Sequence, residues 1–590
     1  MTPTRLATPS APLRRPIRLV AAVAALAFAW GATASAQSLP SLLPQDAAVA
    51  IGLHDLASES ERVQPFLDEA ERLGLIDTLG AAIPAEATDE LDVEENPVPE
   101  ALRGLETMDV LGQEAWLVVS ASQSRPIPAA TMIARVSPDT ADAFATAMAD
   151  AMGEDPGVAR LEEEGRGFYT RMPSDDDDLP LPLAYAQSDD VVVASTDVEI
   201  VRFVLRAQSG VDEPSMDDAP LYASLQELGD GAVRWMMDAD PLLGAAQPFA
   251  ASTEFGPLLS RFRDAIRTAG PSTGVIRVTD DGIASSELQR PDASGPDASL
   301  HGLLTQSDAP GAEVLSFAPA GAIAVSAGTF DVNGWWAWLD DVLGSVAEQG
   351  VPTATQALAM FEIDARSVLL DWAGTRIAQV QASPPEAVQP GVTPNALLGS
   401  QVLLIDSRDD AAAKEGLATL LGAIGPNLGA FTSPDAQGSA APTRVEVAGH
   451  EVLRLEISDG FLIDAAVVDG WVLLSGSSDA TATALEAYAQ GGGASVLNDA
   501  HAQVPSGVRS WSVSDTQGAL RGSVGGLVGQ LQMMAGMAGG ANLDFQSVDE
   551  AGTAIEAYAE FVAERLGASV SYTTVEDGAL RSQGSTEIDW

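Results

Sequence analysis

The 590-residue chain contains no cysteine. That excludes disulfides, thiolate metal sites, a thiol nucleophile and a lipid-attachment cysteine behind a signal sequence. Basic residues are scarce: 30 Lys and Arg stand against 84 Asp and Glu, a formal net charge of −54, and the only lysine is Lys414. A chain so acidic repels a polyanion, so no nucleic acid is expected as a partner. The acid load reads as a solvated surface, with an acid-rich face for cations as the alternative. Aromatic residues make up 5% of the chain, little stacking surface for a sugar-binding groove. Long apolar runs are also few. After Ala34 the most apolar stretch, GSVGGLVGQLQMMAGMAGGA from Gly522, is broken by glycines, so no transmembrane anchor is expected in the mature chain.

The first apolar run, Leu19 to Ala34, follows Arg5, Arg14, Arg15 and Arg18 and ends in the small residues Ala34-Ser35-Ala36. This is the pattern of a signal peptide over 1–36, cut after Ala36, and it places the mature protein in the periplasm or outside the cell. Arg14-Arg15 in PLRRPIRLV matches a twin-arginine signal only loosely, so general secretion is the preferred route. Losing four arginines deepens the negative charge by four. The remaining chain of about 550 residues, from a sequence that is 46% hydrophobic, is folded and too long for one core.

DDVVVASTDVEIVRFVL from Asp189 reads as turn, buried strand and helix, with Thr196 and Glu199 spaced as a capping box and Gly210 as the stop. The same grammar recurs at Asp469 in DGWVLLSGSSDATATAL, with the hairpin turn Asp469-Gly470, a cap at Ser478 and a stop at Gly491. Four further echoes follow in the same order. LPQDAAVAIGL from Leu43 answers APAGAIAVSAG from Ala318, and MDVLGQEAWLVV from Met108 answers LLDWAGTRIAQV from Leu369. AVRWMMD from Ala232 answers GVRSWSVSD from Gly507, and GVIRVTDDGIASSE from Gly274 answers SVSYTTVEDGALRSQG from Ser569. A shared order of landmarks indicates a tandem duplication. The expected class is α+β: two similar domains, 37–292 and 293–590, each a mainly antiparallel sheet with packed helices. The Pro-, Ser- and Asp-rich stretch from Leu288 to Gly302 is the expected boundary.

Reactive constellations are thin. His54, His301, His450 and His501 show no metal-ligand spacing; His54 reads as a cap or solvated turn and His450 as an exposed turn residue. Ser195 and Ser475 stand at strand-to-helix corners where a nucleophile elbow would sit, but the glycines are missing in the first copy and a helix-capping role is preferred. Asp331, Asn333, Gly334 and Asp340 partly mimic a calcium loop, yet Thr329 holds the place of the first carboxylate. The preferred reading there is a capped helix with Trp335, Trp336 and Leu339 facing the core. Asp175 to Asp178 form an adventitious cation site at most. No pair of carboxylates stands out for glycoside hydrolysis. Leu527, Leu531, Met533, Met534 and Met537 form an adaptable apolar face, suited to core packing or to a lid over an apolar ligand. No catalytic, cofactor or metal residue is assigned.

The Asp189 motif, LPQDAAVAIGL and DVLGQEAWLVV together resemble an exported bacterial family known as domain of unknown function 3352. The resemblance implies an internally repeated α+β envelope protein and carries no site residues. The leading expectation is a non-enzymatic two-domain binding or scaffold protein of the envelope, its partner an envelope protein or an apolar ligand. A carrier of lipid-like ligands is the runner-up; a hydrolase with an unmarked acidic site ranks lower. An outer-membrane barrel, suggested by Trp590, is disfavoured by strong helix signals and few aromatics.

Overall fold

The computed structural model describes residues 38–54, 60–73, 114–121, 128–137, 158–171, 183–250, 256–347, 350–382, 400–432, 441–458, 461–522, 524 and 545–590. The signal sequence, Asp175 to Asp178 and Leu527 to Met537 lie outside them. The described residues belong to two compact units: Met1–Gln64, Ile83–Pro248 and Pro271–Arg277 in the first, Pro65–Ala82, Phe249–Gly270 and Val278–Trp590 in the second. Helices and antiparallel strands mix in both, so the α+β class holds.

In the first unit the strands are β1 (Ala47–His54), β2 (Glu114–Ser120), β3 (Ala129–Arg135), β4 (Val158–Glu163), β5 (Arg166–Arg171), β6 (Leu183–Ser188), β7 (Val191–Ser195), β8 (Val233–Met237) and β9 (Ser272–Thr279). Their spatial order is β4-β5-β6-β7-β3-β2-β1-β8-β9, antiparallel at every step. Two-residue turns with left-handed backbone set the hairpins: Glu164 and Gly165 have φ of 47° and 77°, and Asp189 has φ of 54°. Such turns match the twist of the strands they join.

The helix Val198–Gln208 lays Val201, Val204 and Leu205 on Ala50, Trp116, Val118, Ile133 and Val193, completed by Leu39, Leu42 and Leu43. Its cap differs from the expected one. Asp197 accepts the Glu199 N–H at 3.0 Å, whereas the Thr196 hydroxyl accepts the Ala130 N–H and Glu199 pairs with Arg202. Thr196 is still tied to β3, so its backbone leaves the capping place to the next residue.

The Trp116 indole lies over Gly52, its cross-strand partner. A Cβ at position 52 would stand 2.6 Å from Trp116 Cε2. Because Trp116 is fully buried and donates its Nε1 hydrogen to Glu114, the ring has nowhere to retreat. Gly52→Ala is expected to lower stability by about 1–3 kcal/mol, the usual cost of overpacking, read as a fall in the denaturation midpoint. An unchanged midpoint would mean that the indole moves freely.

The second unit holds β10 (Gly282–Gln289), β11 (Ala322–Thr329), β12 (Ala373–Ala382), β13 (Gln401–Ser407), β14 (Thr443–Val447), β15 (His450–Ser458), β16 (Phe461–Val468), β17 (Trp471–Ser475), β18 (Ser510–Asp515), β19 (Leu566–Glu576) and β20 (Ala579–Ile588). The order is β10-β20-β19-β18-β11-β12-β13-β17-β16-β15-β14, again antiparallel throughout. Strand alternation lets β16 and β17 feed two cores. Ala466 and Leu473 face Ala484, Leu485 and Leu497 of the helices Ser478–Gln490 and Ser495–His501. Ala465 and Val472 face Ala413, Leu417 and Leu421 of the helix Asp410–Thr432. Ser477 caps the Ser478–Gln490 helix, one residue before the expected cap, and Gly491 ends it at φ 82° as expected.

The helix Val332–Gly344 corrects another expectation. Its buried residues are Val332 and Val342; Trp335 and Trp336 are half-buried and Leu339 is 39% exposed. Trp335 stacks on Phe330 instead of entering the core.

Candidate functional site

The helix Asp410–Thr432 begins where Asp409 accepts the N–H groups of Ala411 and Ala412, an N-cap that starts an Ala- and Leu-rich run. It packs on β15 and β16 and leaves a groove of about 530 Å³ that Arg444 of β14 borders. Leu453 and Ala465, paired in register across β15 and β16, make its floor, and Arg444 stands opposite Leu453 on β14 at the edge. Ala411, Leu417 and Ala418 of the helix and Ala466 and Val467 of β16 complete the apolar lining. The groove exists because alanines stand where larger side chains would fill the space between helix and sheet.

Charge lies at the rim. Arg444 is held by Glu451 at 2.9 Å, whereas the exposed Lys414 makes no ion pair among the described residues. The volume and lining suit a small or single-chain ligand: apolar walls with the polar groups of Lys414, Glu415, Thr419, Arg444 and Glu451 among them. An apolar tail would lie on Leu417, Leu453 and Val467, and an anionic head would meet Lys414.

A second cluster lies in the first unit. Arg135, Glu114 and His54 occupy one row across β3, β2 and β1, at the end of the helix-covered face. Glu114 accepts hydrogens from Trp116 Nε1 at 3.0 Å and from the Leu39 N–H at 3.2 Å. Arg135 reaches Asp190 at 3.6 Å. His54 stands with Nδ1 4.0 Å from Glu114 and its ring edge-on to Trp116. Burial, and then the Arg234 guanidinium, hold its pKa down at about 4, with Asp230 opposing.

His54 is therefore a half-buried, neutral ring, neither a cap nor a solvated turn. His450 opens β15 half-buried, its ring against Tyr488, so it is not the exposed turn residue expected. The hydroxyl of Tyr488 donates to Asp469, which pushes its pKa up to about 12. The corner serines share one structural role. Ser195 Oγ accepts the Asp197 N–H at 3.0 Å and Ser475 Oγ accepts the Ser477 N–H at 3.2 Å, and both side chains are buried.

The calcium-like residues diverge. Asp331 caps its helix by accepting the Gly334 N–H, Asn333 donates to the Leu370 carbonyl, and Asp340 accepts from Thr355. Among the described residues no group of three or more His, Asp or Glu is placed to hold a metal ion. No described helix is long and apolar enough to cross a membrane.

No family model matches the chain, and no curated protein matches it. One solved structure, described as the structure of crystal form I of TP0453, is similar with a TM-score of 0.23 and 7% identity, over 46% of this chain and 88% of that one. A TM-score that low carries no argument about this chain.

Proposed function

We propose that the protein is an exported, non-enzymatic binding protein of the cell envelope, built from two copies of one α+β plan. In this reading the groove beneath the helix Asp410–Thr432 takes an amphiphile with an apolar chain and an anionic head. The groove carries the proposal: it joins an apolar floor to the chain's single lysine, which has no ion-pair partner among the described residues. Export rests on the arginine-flanked apolar run and on the resemblance to an exported, repeated family.

The two-copy plan has support from strand order. The first unit runs β4-β5-β6-β7-β3-β2-β1-β8-β9 and the second contains β14-β15-β16-β17-β13-β12-β11-β18-β19, the same path with each index raised by ten. Registers agree residue by residue: Ala184 opposes Ser195 as Asp464 opposes Ser475, and Trp116 opposes Ile133 as Ala378 opposes Leu404. The turn Glu164-Gly165 corresponds to Ala448-Gly449, with φ of 50° and 83°. Even the polar row recurs with its charges exchanged, because Glu114 and Arg135 correspond to Arg376 and Asp406, which pair at 3.3 Å.

Magnitudes divide the labour within the groove. Each buried methylene is worth about 0.8 kcal/mol, so about ten supply the roughly 8 kcal/mol of a micromolar complex, before the cost of association is met. An exposed ion pair adds about 1 kcal/mol at most. Chain length therefore sets affinity, and Lys414 sets the preference for an anionic head.

Solvent extraction of the natively purified protein, followed by mass spectrometry, is expected to release an anionic amphiphile in near-stoichiometric amount. The delipidated protein is expected to bind cis-parinaric acid, with Ala418→Trp weakening it by about tenfold or more. Lys414→Glu should cost about fivefold for the acid and leave its methyl ester unaffected. A lipid-free extract together with no binding by the wild type would overturn the proposal.

A further inference from the structure

Arg234 lies on β8, opposite Gly52 of β1 and Val275 of β9, and only 5% of it is exposed. Its Nη1 stands 4.0 Å from the carboxylate of the fully exposed Asp230. Its Nε and Nη2 are buried and have no hydrogen-bond partner among the described residues. Those two nitrogens form the side-on edge of a guanidinium, whose parallel N–H bonds match the two oxygens of a planar carboxylate.

Elsewhere in this molecule the same edge is used for that purpose. Arg206 offers Nε and Nη2 to Glu213 at 2.9 and 3.1 Å, Arg454 offers them to Asp464 at 2.8 and 2.7 Å, and Arg521 offers them to Glu560 at 2.9 and 2.6 Å. Arg234 keeps this edge buried and bonded to no carboxylate among the described residues. His54 Nε2, on the neighbouring strand and the same face, is likewise buried without a partner. The rings of Trp116 and Tyr222, 6.4 Å apart, belong to the same core, and burial pushes the Tyr222 hydroxyl up, so that it stays protonated.

The fold does not require a guanidinium at this place. The corresponding position in the second unit, facing Ala327 as Arg234 faces Gly52, is Trp511, whose one donor is satisfied by the Pro310 carbonyl at 2.6 Å. A buried cation with unmade hydrogen bonds is costly, and an apolar residue of similar size serves the copy that has no such demand.

We infer that Arg234, with His54 beside it, receives the carboxylate of a small organic acid, at a site separate from the groove. The Nε and Nη2 edge grips both carboxylate oxygens, and His54 Nε2 lies at the flank of the bound anion. Planarity selects the class, since a fork with two parallel donors fits a carboxylate best.

The test titrates the full-length protein near neutral pH with sodium acetate and sodium benzoate, against sodium chloride at matched ionic strength. Binding is followed by calorimetry and by the denaturation midpoint, which rises with a ligand that binds the native state. Saturable binding of both acids is expected. Arg234→Lys should weaken it by about tenfold, because the charge remains while the fork is lost, and Arg234→Leu should abolish it. Should Arg234→Leu fail to fold, Arg234→Gln takes its place. No saturation in the wild type, or equal saturation in the Leu or Gln variant, overturns the assignment. Inorganic phosphate binding more tightly than either acid refutes the carboxylate class.

Discussion

Asp464→Ala is expected to destabilise the second unit by about 3–5 kcal/mol, the largest single-residue effect foreseen for this protein. Asp464 is 0% exposed and holds Arg454 by two bonds of 2.8 and 2.7 Å, with Arg454 itself 19% exposed. Removing the carboxylate strands a largely buried guanidinium. Arg454→Thr strands the carboxylate instead, at a comparable cost. In the proposed two-copy plan the matching residues of the first unit are Thr170 and Ala184, an uncharged pair that oppose each other across β5 and β6. The double variant Arg454→Thr with Asp464→Ala removes both charges together, and its cost is expected to fall below that of either single change. Guanidinium denaturation of the four proteins forms the double-mutant cycle. Additive losses, with the double variant the least stable, would show that the pair does not act as a unit.

The turns, caps and helix faces at Asp189 and Asp469 were largely legible from the letters, because such devices are local. Asp469-Gly470 and Gly491 adopt the left-handed angles their sequence demands. At both corners the cap lies one residue from the expected one, for a shared reason. Each corner offers a run of residues able to cap, Ser195-Thr196-Asp197 and Ser475 to Ser478, and the choice falls to whichever has the extended backbone just before the first helical turn. Sequence supplies the candidates; the strand the chain is leaving selects among them.

The groove and the polar row were not legible, and the causes differ. The groove is a deficit of volume: Ala411 and Ala418 meet Ala465 only after a helix lies on a hairpin about 50 residues further along the chain. Lys414 stood out by its rarity, yet nothing in its neighbours placed it at a rim. The row of Arg135, Glu114 and His54, with Arg234 next to it, draws on four strands whose register becomes known only when β1 pairs with both β2 and β8. Trp335, Trp336 and Leu339 misled in the opposite direction. Their spacing suggests a core stripe, but the helix buries Val332 and Val342 and leaves its aromatic side half open. Apolar character alone does not say which face of a short helix meets the sheet.

The second large effect concerns His54 and pH. Its pKa falls from 6.5 to about 4 on folding, through burial first and the Arg234 charge second, with Asp230 opposing and Glu114 4.0 Å from Nδ1. The unfolded chain therefore takes up the proton before the folded one. The contribution of the neutral ring is fully present above pH 6.5, is lost progressively as pH falls toward 4, and levels off below that, where both states are protonated. A shift of this size is worth about 3 kcal/mol. The carboxylates titrate at the lower end of the same window and, in a chain of net charge −54, their protonation relieves self-repulsion. Only a difference isolates the histidine: stability of the wild type minus that of His54→Gln, measured across the window, should decline by that amount between pH 6.5 and 4. The buffers must contain no carboxylate, since acetate would also occupy the site inferred at Arg234 and conceal the loss. A flat difference curve, or a His54 resonance titrating near 6.5 in the folded protein, would reject this account of the ring.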